Sequence, residues 1–179
     1  MNSKGYNKLI EKSIDLTNNN ITDIKNNALI GFKKLETLNL KNNKITSLKS
    51  NMFNEDLKML SLLDLSSNQI ESIEKETFKY LTNLVTLHLN KNKIQQLDSY
   101  LFQGLINLNA LYLSSNKIKE IKSNTFSRLT NLKYLLLNIN KIQLIQADAL
   151  TGSCNLQKFD ITDNPATDLY LDYFKLGDC

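Results

Sequence analysis

Few side chains in this sequence have the chemistry of a catalytic or metal-binding centre. His88 is the only histidine among the 179 residues. A nucleophile would have to lie within hydrogen-bond reach of its imidazole, but the candidates Ser66 and Ser114 belong to other repeats and to a different column of the repeat described below. The five glycines are scattered and form no phosphate-binding loop, and no cysteine–histidine spacing suits a metal. We therefore expect no enzymatic activity, no metal ion and no cofactor.

Charge and hydropathy argue against two further classes of function. The net charge is +4, and every basic residue except Arg128 is a lysine. Proteins that read nucleic acids usually rely on the planar, bidentate guanidinium of arginine, so we expect no nucleic-acid partner. No apolar stretch approaches the roughly 20 residues of a membrane-spanning helix, so we also expect no membrane span in this chain.

An asparagine recurs along the chain at an almost constant interval. The interval is 24 residues in every case but one, where it is 25, and the column is Asn19, Asn43, Asn68, Asn92, Asn116, Asn140 and Asn164. Two large apolar residues stand three and five places before each asparagine. A leucine stands eight places before it, except in the first repeat, where Glu11 takes that place. Repetition at a fixed period of this length predicts a solenoid.

Each position of the repeat has a physical role. The alternating apolar pair predicts a short strand with both side chains on its inner face, and stacking predicts a parallel sheet of about seven strands. The asparagine amide can satisfy backbone groups that the following bend leaves unpaired. Phe78, Leu81 and Leu84 are spaced by three, which suits an inward-facing 3₁₀-like turn on the outer side. The extra residue of the long interval falls within 54–59, where we expect a small bulge.

The whole unit has the pattern L-x-x-L-x-L-x-x-N and a phenylalanine ten places after the asparagine. It resembles the typical subfamily of leucine-rich repeats, which is found in Toll-type receptors, small proteoglycans and adhesion proteins. The resemblance implies a right-handed α/β solenoid with a curved parallel sheet and a convex side of short 3₁₀ or irregular turns. We expect a lead-in or partial cap over 1–10, seven repeats over 11–164 and an incomplete cap over 165–179.

The resemblance also implies a function. It implies a module that binds a macromolecular ligand, a protein above all, in an extracellular receptor, in cell adhesion or in immune recognition. We expect an extracellular or cell-surface location as part of a longer protein. The alternatives are an intracellular interaction scaffold, which is cytoplasmic if Met1 is the natural start, and a module that binds glycans or anions.

The candidate ligand-binding residues are those that the strands point outward. Between the paired leucines the column includes Asp64, His88, Tyr112 and Leu136. Tyr134 precedes its pair, and Ile139 lies at the edge of the same region. Large side chains on a rigid sheet are good interface anchors, so these six residues are the predicted concave site. The alternative is that neighbouring aromatic rings only stack on a solvated sheet.

Lysines follow the asparagine on three consecutive repeats. They are Lys93, Lys117 and Lys141, which we expect to stand about 5 Å apart along one rim. Such a rim can attract an acidic protein or a sulfated glycan. The alternative is a solvated rim on which the side chains splay apart.

Two sites of covalent chemistry remain. Cys154 follows Asn140 by 14 residues and Cys179 follows Asn164 by 15, so the two cysteines occupy adjacent turns if the tail completes another coil. That placement predicts a disulfide, and the alternative is two free thiols. Asn20-Ile21-Thr22 is a glycosylation acceptor pattern, which makes Asn20 the candidate glycan site.

Overall fold

The computed structural model describes residues 5–165, and this part of the chain is a solenoid of short parallel strands. Eleven strands follow one another along it: β1 (Ser13–Asp15), β2 (Thr37–Asn39), β3 (Ser47–Leu48), β4 (Leu62–Asp64), β5 (Ser72–Ile73), β6 (Thr86–His88), β7 (Ala110–Tyr112), β8 (Glu120–Ile121), β9 (Tyr134–Leu136), β10 (Leu144–Ile145) and β11 (Lys158–Asp160). The main sheet has seven strands in the order β1-β2-β4-β6-β7-β9-β11. The predicted parallel sheet is therefore confirmed.

In six of the seven strands of the main sheet the middle residue is buried, and on β11 the middle residue Phe159 is half-buried. Leu63, Leu87 and Leu111 are register partners on successive strands, and each is fully buried. Their neighbours along each strand are mostly half-buried and face the opposite side of the sheet. Each coil thus places an apolar side chain into one continuous core, which a single coil could not form alone.

The repeated asparagine forms a hydrogen-bonded ladder. The amide of Asn92 donates to the carbonyls of Leu89 and of Leu65 in the preceding coil, both at 3.0 Å, and its Oδ1 accepts from the backbone amide of Ile70 at 3.0 Å. The same pattern occurs at Asn43, Asn68, Asn116, Asn140 and Asn164. Each buried amide satisfies three backbone groups at the bend, as the sequence predicts.

Phenylalanines form a spine along the convex half of the core. The rings of Phe53, Phe78, Phe102 and Phe126 are stacked at centroid distances of 6.2, 6.0 and 5.9 Å. The turns that follow them are closed by hydrogen bonds between residues three apart, such as Leu105 N to Phe102 O at 2.9 Å. This is the 3₁₀-like hydrogen bonding that the spacing predicts.

The long interval contains a formal 3₁₀ helix rather than a simple bulge. Glu55–Leu57 forms the helix, and the Asn54 side chain caps it by accepting from the Asp56 backbone amide at 2.9 Å. Phe53 and Leu57 are both fully buried. The extra residue is therefore absorbed between two core positions without displacing either one.

The convex side also contains features that the repeat pattern does not predict. β3 pairs with β5 and β8 with β10 in two small parallel sheets. A second asparagine ladder lies in the turns that precede strands of the main sheet, where Asn83, Asn107, Asn131 and Asn155 each donate to a carbonyl of the preceding coil. Within residues 5–165 the convex side has no α-helix, and no helix there is long and apolar enough to cross a membrane.

Candidate functional site

The structure places the predicted concave residues on consecutive strands. Asp64 is the register partner of His88, His88 of Tyr112, and Tyr112 of Leu136. All four are half-buried and outside the core. Because adjacent strands are about 4.8 Å apart, their side chains form one continuous row across the sheet, which we call the concave row.

The aromatic rings of the concave row are stacked. The rings of His88 and Tyr112 have centroids 4.4 Å apart and an interplanar angle of 5°. This is the stacking that the sequence leaves open as an alternative. Stacking fixes both rings, so a ligand that bound them would order few additional rotamers.

Burial changes the protonation of His88. It lowers the pKa of the imidazole below its usual value, and the charge of Lys41 acts in the same direction. The carboxylate of Asp64 and a hydrogen bond with Asn90 oppose this shift. Because the ordinary histidine pKa is already about 6.5, His88 is neutral at pH 7 and the stack is uncharged.

Tyr134 stands beside the concave row rather than in it. Its register partner on β7 is Ala110, a small buried residue. Nothing large therefore stands next to its ring on that strand, and 39% of Tyr134 is exposed. Its hydroxyl donates to Oε1 of Gln157 at 3.2 Å, which ties the ring to the next coil.

Ile139 has the most unusual backbone of the predicted site. It precedes the ladder asparagine Asn140 and adopts φ 57°, a left-handed conformation, with 51% of its surface exposed. The same conformation recurs at this position in every coil, but there the residues are Asn18, Asn42, Ser67, Lys91, Ser115 and Asp163. A β-branched residue is strained in this region. Ile139 is therefore an exposed apolar residue kept at a place where a polar one fits better.

The three rim lysines stand on successive coils but differ in their surroundings. Their backbone amides donate to Ile70, Ile94 and Ile118 of the preceding coils at 2.9 Å each. Nζ of Lys93 lies 3.3 Å from Oε1 of Gln69 and 3.8 Å from a carboxylate oxygen of Glu71. Lys117 and Lys141 are exposed, and neither forms an ion pair with any residue between 5 and 165.

The remaining described candidates, Asn20 and Cys154, lie outside the strands of the main sheet. Asn20 is exposed in the first coil and has φ 56°. Cys154 lies in the turn before β11 and is not a free thiol. Cys179 falls outside the described residues, so the bridge between the two stays a prediction. Within residues 5–165 no group of three or more histidine, cysteine or acidic side chains is arranged to hold a metal ion.

Comparison with known proteins supports the repeat assignment. The family described as "Leucine rich repeat" matches residues 12–70, 58–118 and 106–165. The chain is similar to a leucine-rich-repeat protein of Leptospira interrogans, LIC12759, with a TM-score of 0.74 and 31% identity over 86% of this chain. It is also similar to TLR13 in the crystal structure of a TLR13–ssRNA13 complex, with a TM-score of 0.73 and 31% identity over 78% of this chain. No curated protein matches the sequence.

Both solved structures are much longer than this chain. The match covers 37% of the Leptospira chain and 20% of the TLR13 chain. The family match, in contrast, runs from residue 12 to residue 165 and includes the whole asparagine ladder and the whole seven-stranded sheet. On this evidence the chain belongs to the leucine-rich-repeat family.

Proposed function

We propose that the concave face binds a protein ligand, with Tyr112 and Tyr134 as its main anchors. The fold is that of a protein-interaction module. The observation that carries the proposal is the concave row, in which His88, Tyr112 and Leu136 stand on three consecutive strands. Aromatic side chains that are already fixed lose little entropy on binding and supply much contact area.

Ile139 supports the same location. Holding a β-branched residue in the left-handed region costs about 1 kcal/mol or more, and exposing its side chain gains nothing in the free protein. Such strain is found mainly at functional sites. Ile139 lies three residues after Leu136, so it extends the apolar part of the row toward the lysine rim.

We further propose that the ligand is met outside the cell, in receptor, adhesion or immune recognition. The similarity to TLR13 supports this reading, although the chain spans 20% of that protein's length. A disulfide at Cys154 supports it too, because such bonds persist in oxidising compartments. An intracellular scaffold is the alternative. Locating the full-length protein by surface labelling of intact cells distinguishes the two.

The binding site can be tested with a displayed library of random twelve-residue peptides, selected on the immobilised wild-type protein. We expect selected peptides to lose affinity on Tyr112→Ala and on Tyr134→Ala, each by about 5- to 150-fold, since anchor residues contribute roughly 1–3 kcal/mol. Neither change should shift the urea midpoint by much, because neither side chain belongs to the core.

The matched controls are two tyrosines on the convex side. Tyr80 and Tyr100 are 37% and 45% exposed, so Tyr80→Ala and Tyr100→Ala remove the same group from a surface outside the proposed site. Peptides that need either convex tyrosine, or that ignore both concave ones, would contradict the proposal. Failure to select any binding peptide would count against it as well.

The lysine rim favours a second candidate, binding of a sulfated glycan. Lys117 and Lys141 are exposed and form no ion pair with any residue between 5 and 165, whereas Lys93 is partly neutralised by Glu71. We expect heparin to bind in low salt and to bind more weakly to Lys117→Gln and Lys141→Gln. Lys25→Gln removes the same charge from the first coil and should leave heparin binding unchanged.

A single-stranded RNA of matched charge is the comparison polyanion, because ssRNA13 is what TLR13 holds in its complex. Equal binding of RNA and heparin would indicate a nonspecific anion surface. Heparin affinity that is insensitive to both rim variants would remove this candidate.

A further inference from the structure

Asp160 on β11 is the register partner of Leu136 and extends the concave row by one strand. The stretch from Asp64 through His88, Tyr112 and Leu136 to Asp160 has an acidic residue at each end. The three central residues carry no charge at pH 7, since His88 is neutral. Four strand spacings separate the two aspartates, a distance of about 19 Å at ~4.8 Å per spacing.

Both aspartates are held in place by their own turns. Oδ1 of Asp64 accepts from the backbone amide of Ser66 at 2.8 Å. Oδ1 of Asp160 accepts from the backbone amide and the hydroxyl of Thr162 at 3.1 and 2.8 Å. Neither carboxylate forms an ion pair with a residue between 5 and 165. Two oriented negative charges therefore bracket an uncharged centre of two rings and a leucine.

We infer that the protein ligand of this face presents an extended segment with a cationic side chain at each end and apolar side chains between them. An extended chain rises about 3.3 Å per residue, so two residues that are six places apart are separated by about 20 Å. Alternate side chains share a face. The segment then has Lys or Arg at its first residue, apolar residues at its third and fifth, and Lys or Arg at its seventh.

An extended segment fits the row better than a helix does. The row is one side chain wide, and Tyr134 and Ile139 stand on either side of Leu136 along the chain. A helix with its side chains is about 10 Å across and would need about 13 residues to cover the same length. This inference rests on the proposed function, because it describes the partner of the same concave face.

The test uses the peptides selected on the wild-type protein. Their sequences should be enriched in pairs of basic residues six places apart with apolar residues at the second and fourth places between. A synthetic peptide of that consensus should lose about three- to tenfold in affinity on Asp64→Asn and again on Asp160→Asn, as measured by calorimetry. A peptide of the same composition with its two basic residues adjacent should bind more weakly than the consensus.

The chain supplies its own evidence that these variants keep the fold. Asn39 occupies the same column in the second coil, and its Oδ1 accepts from the backbone amide of Lys41 at 3.0 Å. An asparagine therefore makes the same turn as an aspartate. Asp15→Asn is the matched control, since it removes a carboxylate from the same column in the first coil, outside the uncharged stretch.

The outcomes separate this inference from the proposed function. Peptides that need Tyr112 but bind equally to Asp64→Asn and Asp160→Asn overturn the inference and leave the concave site intact. Enriched peptides without the paired basic residues have the same meaning. An equal loss of affinity on Asp15→Asn also overturns the inference and leaves the concave site intact. Peptides that ignore Tyr112, or a selection that yields none, overturn both.

Discussion

At the residue scale, the surroundings of His88 determine which protonation state of its imidazole the native protein favours. Its ring is stacked on Tyr112, and burial lowers its pKa while Asp64 opposes the shift. The native state therefore favours the neutral imidazole. The unfolded chain has no such preference and takes up a proton at about pH 6.5.

Stability should fall as the pH is lowered from 7.5 through the native pKa of His88, because the unfolded state binds the proton first. The stabilising effect is complete above about pH 6.5 and lost below the native pKa. His88→Phe keeps a ring on Tyr112 and removes the titration. Urea unfolding of the untagged proteins at pH 7.5 and 5.5 should show a larger loss for the wild type. An equal loss in the two proteins would contradict this, since His88 is the only histidine.

At the same scale, a substitution of Ile139 tests whether its strained backbone is kept for binding. Ile139→Asn should raise the free energy of unfolding by about 1 kcal/mol, because asparagine tolerates the left-handed region better than a β-branched residue does. The same change should weaken the selected peptides. Ser115→Asn alters the equivalent position of the preceding coil and should change both quantities little. A destabilised Ile139→Asn protein would show that the side chain contributes to packing rather than to binding.

At the scale of the elements, two kinds of stacking hold the coils together. The asparagine ladder satisfies the backbone at each bend, and the phenylalanine spine fills the convex half of the core. Both act only between neighbouring coils, so inner coils are supported on two sides and outer ones on one. Leu108 is fully buried, whereas Leu156, in the same column near the last strand, is only half-buried.

Phe102→Ala should lower the free energy of unfolding by about 3–5 kcal/mol, because it leaves a cavity between Phe78 and Phe126. The effect of position along the solenoid can be isolated by making the same substitution at two places in one column of the repeat. Leu108→Ala should be more destabilising than Leu156→Ala, and urea unfolding measures both. A loss of stability in Leu156→Ala that equals or exceeds the loss in Leu108→Ala would mean that the coil of Leu156 is as well supported as the middle ones.

At the scale of the whole molecule, the concave face and the lysine rim differ in charge. Carboxylates bracket an uncharged row on the concave face, while Lys117 and Lys141 are exposed on one rim. Opposite charges across an interface act mainly on the rate of association and on specificity. We expect the rim and the row to contribute separately to the choice of partner, without forming one continuous contact.

The last described coil contains Cys154, which is not a free thiol. We expect Cys154 and Cys179 to be bridged in protein made under oxidising conditions, which would stabilise it by roughly 3 kcal/mol through loop closure. Intact-mass measurement after alkylation in denaturant, with and without prior reduction, detects the bridge. Cys154→Ser should be less stable than the oxidised wild type and indistinguishable from the reduced one. Alkylation of both thiols without reduction would refute the bridge.

The amino-acid sequence by itself determined the fold, the core and the outward-facing columns. Each coil carries its own copy of the pattern, and residues one period apart become neighbours, so a period read along the chain gives the contacts between coils. This is why Leu87, Asn92 and Phe102 could each be assigned a structural role in advance. It is also why His88, Tyr112 and Leu136 could be placed on consecutive strands.

The tertiary structure alone decided what depends on angles and side-chain distances. The strain at Ile139, the stacking of His88 on Tyr112 and the partial neutralisation of Lys93 by Glu71 are of this kind. The capped 3₁₀ helix at Glu55–Leu57 and the second asparagine ladder also depend on these angles and distances. A repeat pattern states which residues are neighbours, but backbone torsions and rotamers are settled by packing in three dimensions, and those determine which neighbours interact.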